Sequence, residues 1–134
     1  MPSKPLISIV DDDEAVRKAT KSLIRALGFL AETFESGEEF LKFDDLHKTA
    51  CLIADVRMPQ MSGLDLHRHL IASGISIPSI LMTAHPDDSL RALALEAGVI
   101  CFLAKPFTKK HLLDCIRTAL DRGLAGRRKE DSSG

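Results

Sequence analysis

A chain of 134 residues has room for one compact domain, at roughly 100–200 residues per domain, and not for a second of comparable size. With 18 Lys plus Arg against 19 Asp plus Glu, a net charge of −1, 45% hydrophobic and 28% charged residues, the composition excludes a disordered or collagen-like chain and any large basic face for nucleic acid. The aromatic residues are all Phe, so no Trp or Tyr is there to stack bases or sugars.

Leu6–Val10 is a short apolar run of strand length, and Asp11, Asp12 and Asp13 follow it. An amphipathic helix comes next, with Val16, Ala19, Leu23, Ile24 and Leu27 on its inward face and Gly28 at its stop position. Phe29–Phe34 predicts a second strand, and Ser36 with Glu39 has the spacing of a capping box for a short helix to about Phe43. Cys51–Asp55 predicts the third strand. Ser62–Ser73 predicts the third helix, with Leu64, Leu70 and Ile71 apolar and Gly74 as terminator. Ser79–Thr83 is the fourth strand, and the helix Asp87–Ala97 turns Leu90, Leu93, Ala94 and Ala97 inward while Ala92 and Leu95 lie outside that stripe. Cys101–Ala104 is the fifth strand, and Thr108–Arg122 the last helix, carrying Leu112, Ile116, Ala119 and Leu120. Residues 1–122 are expected to form the domain; the polar stretch 123–134 reads as a fraying tail or the start of a linker.

Five strands alternating with five helices predict a doubly wound α/β domain, because each parallel pairing needs a crossover and each helix supplies one. In such folds ligands gather beyond the carboxyl ends of the strands. Asp11, Asp12 and Asp13, then Asp55, Thr83 and Lys105, all stand at such ends and converge on one edge of the sheet. Clustered carboxylates repel one another, and an all-oxygen set favours Mg²⁺ or the similar Mn²⁺, which binds one or two carboxylates and a phosphoryl oxygen. Lys105 is a compact positive charge and Thr83 a neutral donor. There is no Ser-His-Asp arrangement and no glycine-rich nucleotide loop, so ATP has no cradle. The chemistry that fits is attack of a carboxylate on phosphorus to give an acyl phosphate. Taken singly these residues read otherwise: Asp13 as a helix cap, Thr83 as an ordinary strand end, Lys105-Pro106 as a turn. Their coincidence at four strand ends is what makes a site.

Val10-Asp11-Asp12, Arg17, Asp55-Val56-Arg57-Met58-Pro59 with Ser62-Gly63, Thr83-Ala84 and Lys105-Pro106-Phe107 resemble the receiver domain of two-component response regulators, from Leu6 to about Leu120. The stretch Asp55–Leu66 and the Lys-Pro-Phe ending are most similar to the nitrogen-fixation (FixJ-like) branch, whose members join this domain to a helix-turn-helix output domain. The resemblance implies a flavodoxin-like (βα)5 fold with strand order 2-1-3-4-5. It implies Asp55 as acceptor of a phosphoryl group from a sensor histidine kinase, and Asp11 and Asp12 as the acidic pair of the metal site. Asp12, Asp55 and the backbone carbonyl of Arg57 are then the direct Mg²⁺ ligands. This register is preferred over one using Asp13 because it places Val16 and Arg17 where the family pattern expects them. Thr83 matches the hydroxyl that follows the phosphoryl group, Lys105 the amine that pairs with it, and Phe102 the aromatic switch. The side chains of His85 and Arg57 are placed to flank the phosphoryl group.

The implied protein is a switch that catalyses only its own phosphotransfer and dephosphorylation. Its signalling surface is the fourth helix, fifth strand and fifth helix, available for a phosphorylation-dependent homodimer. DNA is reached only through an output domain outside this chain, and the output class the resemblance implies is transcription control. A rival is a small Mg²⁺-dependent phosphatase working through an aspartyl phosphate; such enzymes place a general-acid Asp two residues beyond the nucleophile, where this chain has Arg57. An FMN binder is disfavoured because Asp11 to Glu14 would repel the FMN phosphate. Cys51, Cys101 and Cys115 lack metal or redox spacing and read as small buried apolar residues. His47, His67, His69 and His111 are expected at the surface. With no export signal and no apolar run of about 20 residues, a cytoplasmic location away from any membrane is expected.

Overall fold

A computed structural model describes residues 4–133, with side chains described over 4–122. Strands β1 (Leu6–Val10), β2 (Leu30–Phe34), β3 (Thr49–Asp55), β4 (Ser79–Thr83) and β5 (Cys101–Ala104) alternate with helices α1 (Glu14–Ala26), α2 (Gly37–Leu41), α3 (Gly63–Ala72), α4 (Asp88–Glu96) and α5 (Lys109–Ser133). The strands form one sheet in the order β2-β1-β3-β4-β5, and every pairing is parallel. This is the expected flavodoxin-like, doubly wound arrangement, with the strand order reversing between β1 and β3.

Parallel strands covered on both faces send alternate side chains into two cores. Ile7, Ile9, Cys51, Ile53, Ile80 and Met82 pack with Ile24 of α1 and with Leu112, Ile116 and Ala119 of α5. Val10, Leu52, Ala54 and Leu81 face the other way, onto Phe40, Leu64, Leu66, Leu70 and Ala94. One polar pair crosses the buried sheet: the hydroxyls of Ser8 and Thr49 are 2.7 Å apart. That bond satisfies two polar groups at once, and β3 begins at Thr49, ahead of the expected Cys51.

Asp13 caps α1, its carboxylate accepting the N–H groups of Ala15 and Val16. Gly28, at φ +96°, closes the same helix: its N–H donates to Arg25 O and that of Phe29 to Ile24 O. Gly98 does the same after α4 at φ +95°. A side chain at either would be strained in this left-handed cap. Ser62 and Asp65 make a complete capping box at the start of α3.

Several faces differ from expectation. On α1 the buried residues are Thr20 and Ile24, and Ala19 is exposed, because the helix meets the sheet slightly round from its apolar stripe. On α4 the small Ala94 lets the helix approach the sheet and Leu93 is left on the rim, 47% exposed. On α3 Ile71 is exposed, while Leu66 and His67 are buried. Helix α2 ends at Leu41, short of Phe43, whose ring turns back onto Phe34 at a centroid distance of 5.0 Å. The backbone of α5 stays helical beyond Arg122 as far as Ser133, through the stretch expected as a fraying tail or the start of a linker. Among the described residues, no helix is long and apolar enough to cross a membrane.

Candidate functional site

β1 and β3 are adjacent, so their carboxyl ends bring the first acidic run and Asp55 together. Carboxylate oxygens of Asp11, Asp12 and Asp55 lie within 4.8 Å of one another. Asp13 is not among them, since its side chain is used in capping α1. Asp11 is fully buried and Asp12 exposed. Asp11 is fixed at several points: its N–H donates to Phe34 O at 3.1 Å, its Oδ1 accepts the Asp13 N–H at 2.9 Å, and its carbonyl accepts from Arg17 Nη1 at 2.7 Å. Arg17 also pairs with Glu35 at 3.7 Å. The sequence marked Arg17 only as a register point; that its guanidinium braces the Asp11 backbone depends on the approach of α1 to β1.

Asp55 Oδ1 accepts the Arg57 N–H at 2.8 Å, and Oδ2 accepts from Lys105 Nζ at 2.6 Å. The same ammonium donates to Asp11 Oδ2 at 3.1 Å. Lys105 is brought to this position by its own N–H, which donates to Thr83 O at 2.7 Å, and is followed by a cis peptide to Pro106. Gly63, opening α3, lies so close to the end of β3 that a Cβ there would be 2.5 Å from Asp55 O.

Burial pushes the Asp11 carboxyl above its ordinary range; the Asp13 N–H and Lys105 pull it down, and the charge of Asp55 pushes it up again. For Lys105 burial opposes the charge, but hydrogen bonds to Asp55 and Asp11 and the charge of both carboxylates outweigh it and hold the ammonium above its usual value. Three carboxylates facing one ammonium leave this edge with negative charge in excess. The donor set, all carboxylate oxygen with Asp12 open to solvent, fits a hard divalent cation that keeps several of its waters.

Thr83 is fully buried at the end of β4, and its Oγ1 accepts the His85 N–H at 3.1 Å. Phe102 lies opposite Leu81 in the β4–β5 register and is half-buried against the core on the α3 and α4 side. The side chains of His85 and Arg57 are exposed at this end of the sheet. Cys51 is buried, and Cys101 and Cys115 are half-buried neighbours. Burial, then the hydrogen bond to Cys101, pushes the Cys115 thiol up to about 12, and burial also pushes Cys51 up, so neither is a ready thiolate. His67 is not at the surface, as had been expected: it is 4% exposed and hydrogen-bonded through both ring nitrogens.

A doubly wound domain with this acidic edge and a lysine reaching it from β5 has the form of a signalling module. The family model for the response regulator receiver domain matches residues 7–117. The chain belongs to the family of response regulator receiver domains. It is 45% identical over 127 residues to the response regulator protein TmoT of Ectopseudomonas mendocina, covering 95% of this chain and 57% of that protein. It is 35% identical to the transcriptional regulatory protein FixJ of Rhizobium meliloti, covering 95% and 62%. The chain thus spans little more than half the length of these curated relatives. Among solved structures, the response regulator StyR superposes with a TM-score of 0.87 at 38% identity, covering 98% of this chain and 66% of that one. The crystal structure of FixJ-N gives a TM-score of 0.82 at 36% identity, covering 90% and 96%. The resemblance to FixJ-type regulators read from the motifs is borne out.

Proposed function

We propose that Asp55 is the phosphoacceptor of this receiver and that the chain catalyses its own phosphotransfer and dephosphorylation, with no metabolite as substrate. A carboxylate oxygen of Asp55 attacks the phosphorus of a phosphohistidine on a sensor kinase; the P–N bond breaks, the imidazole leaves with its electron pair, and an acyl phosphate forms. The observation that carries this is the Lys105 ammonium at 2.6 Å from Asp55 Oδ2, placed to neutralise charge gathering on the transferred oxygens. Asp12, Asp55 and the Arg57 backbone carbonyl would hold Mg²⁺ or Mn²⁺, with Asp11 behind them. The metal would supply Lewis-acid stabilisation of the phosphoryl oxygens. Asp11 keeps Lys105 oriented, and the Arg57 N–H holds the Asp55 carboxylate in one rotamer.

Once the phosphoryl group is in place, the Thr83 hydroxyl leaves the His85 N–H to follow it. Phe102, on the same side of the sheet as Leu81, fills the space released. The surface of α4, β5 and α5 then changes and favours a homodimer, and the output is transcription control by a DNA-binding domain outside this chain. The FixJ and TmoT names support that reading, and a cytoplasmic location accords with it. Acetyl phosphate with Mg²⁺ is expected to add one phosphoryl group, mapped by mass spectrometry to the peptide holding Asp55. Full-yield labelling of Asp55→Asn at another residue would overturn the assignment.

A further inference from the structure

His67 is a buried titratable residue that the phosphoryl site does not use. It lies on α3, and its ring bridges two other elements: Nδ1 is 2.9 Å from Ser79 Oγ, at the start of β4, and Nε2 is 2.9 Å from the carbonyl oxygen of Ala97, the C-cap of α4. A carbonyl only accepts, so Nε2 carries a proton and donates it. At Nδ1 the ring meets the Ser79 hydroxyl, which also donates to Ile77 O at 3.2 Å. Gly98 and Val99 already satisfy Leu95 O and Ala94 O through their N–H groups, so the His67 bond takes up a further carbonyl at the helix end. The C-terminal end of α4 is therefore capped from a neighbouring helix. A third tie lies beside it, where the Ile100 N–H donates to Ser79 O at 2.8 Å.

The other end of α4 is held differently. Its N-cap Asp87 bonds only to its own helix among the described residues, the side chain accepting the Ser89 N–H and the carbonyl the Arg91 N–H. Residues Ala84 to Ser89 are all exposed, and the first half-buried side chain of the helix is Leu90. This loose end follows Thr83, at the carboxyl end of β4; the fastened end lies at the opposite edge of the sheet, beside Ser79.

We infer that His67 is the pivot of the switch: it pins the C-terminal end of α4 to β4 and α3, so that activation swings the N-terminal turn of α4 and leaves Ala94 to Ile100 in place. Sliding the whole helix would strip the Nε2–H and the Ala97 carbonyl of each other in a part-buried site, whereas rotation about them breaks neither bond. His67 is thus a positioning residue, acting on the signalling surface through Ala97 and Ser79. The motion rests on the receiver reading above; the anchor does not.

Amide hydrogen exchange on the whole chain, with and without Mg²⁺ and beryllofluoride as phosphoryl mimic, separates these. In the wild type the mimic should alter exchange at Ser89 to Arg91 and leave Gly98 to Ile100 unchanged. In His67→Ala without the mimic, Gly98 and Val99 should exchange about tenfold faster while Ile53 and Leu112 keep their protection, and His67→Gln, which retains a donor, should restore part of it. Equal responses at both ends of α4 in the wild type would overturn the pivot. Unchanged protection of Gly98 and Val99 in both variants would overturn the anchor. If His67→Ala does not fold, His67→Gln and the wild type decide. Absence of any response to the mimic, including at Thr83 to His85, would count against the Asp55 reading and the swing, while the variants without the mimic would still judge the anchor.

Discussion

Lys105 and Asp55, 50 positions apart in sequence, meet Nζ to Oδ2 at 2.6 Å. The ammonium already lies where an incoming phosphoryl group would need positive charge, and it is held there by Asp11 as well. Pre-placed charge costs no reorganisation at the moment of transfer. Lys105→Ala is expected to slow labelling by acetyl phosphate about 100-fold. Lys105→Arg keeps the charge in a planar fork that does not fit the same point, so it should recover only part of the rate. Quenched-flow mass spectrometry with matched Mg²⁺ reads both.

The two exposed aspartates after β1 divide their work: Asp12 joins the carboxylate cluster and Asp13 caps a helix. Titration calorimetry with Mg²⁺ should therefore show Asp12→Ala weakening binding by about tenfold or more, since the metal loses one of few protein ligands. Asp13→Ala should mainly lower stability, by about 1 kcal/mol for a lost cap. The reverse order would shift the acidic pair by one residue.

Asp11 gives a pH dependence with a definite sign. Its folded pKa is raised, so its contribution to stability is fully present below the unfolded value and is lost as pH rises through the folded value. Burying this carboxyl is a cost once the pH lies above its unfolded range, and Asp11→Asn should melt higher than the wild type in EDTA at neutral pH. The advantage should fade as pH falls toward about 4, the unfolded carboxylate range. Lys105, also raised, adds stability that is lost only in the alkaline range, so it does not mask the effect. Thermal melts of both proteins between these limits test the sign.

Gly63 is required by space, not by its own backbone angles. An added methyl would meet Asp55 O at 2.5 Å and Leu81 Cδ2 at 3.0 Å. Gly63→Ala should cost about 1–3 kcal/mol in urea unfolding, as overpacking does. Because the clash falls on Asp55 itself, the variant should also phosphorylate more slowly at temperatures where it is fully folded.

Leu95 is 46% exposed on α4, outside the stripe that meets the sheet. If the phosphorylated surface forms a dimer, Leu95→Asp should prevent the rise in mass seen by ultracentrifugation after phosphorylation, with Asp55 still modified in full. A wild type that stays monomeric at micromolar concentration when phosphorylated would remove the dimer from the mechanism.

The strands were legible because a parallel sheet buried on both faces leaves runs such as Leu6–Val10 and Ser79–Thr83 that no amphipathic helix would carry. The edge chemistry was legible for the same reason: a strand end is a place, and Asp11, Asp55 and Lys105 sit at three of them. What could not be read was decided by neighbours distant in sequence. His67 bonds to residues 12 and 30 positions away, and nothing local distinguishes it from a solvated histidine. Helical period alone does not fix which stripe of a short helix meets the sheet: Ala94 is buried as expected, but Ala19 and Leu93, also placed inward, are exposed, and Thr20 is buried instead. Thr49 falls outside the apolar run that marked its strand, and its partner Ser8 lies 41 residues earlier.

The sheet separates the interior into two cores that share no side chain: one under α1 and α5, the other under α2, α3 and α4. Phe102, Ala94 and Val99 belong to the second, while Ile24, Leu112 and Ile116 belong to the first. A rearrangement near α4 can therefore soften one half of the interior while the other stays solid. The molecule has in effect a working side and a keel. Substitutions under α1 and α5 should shift melting temperature with little effect on signalling, and the same volume changes under α4 should alter how readily the signal is read even where melting temperature hardly moves.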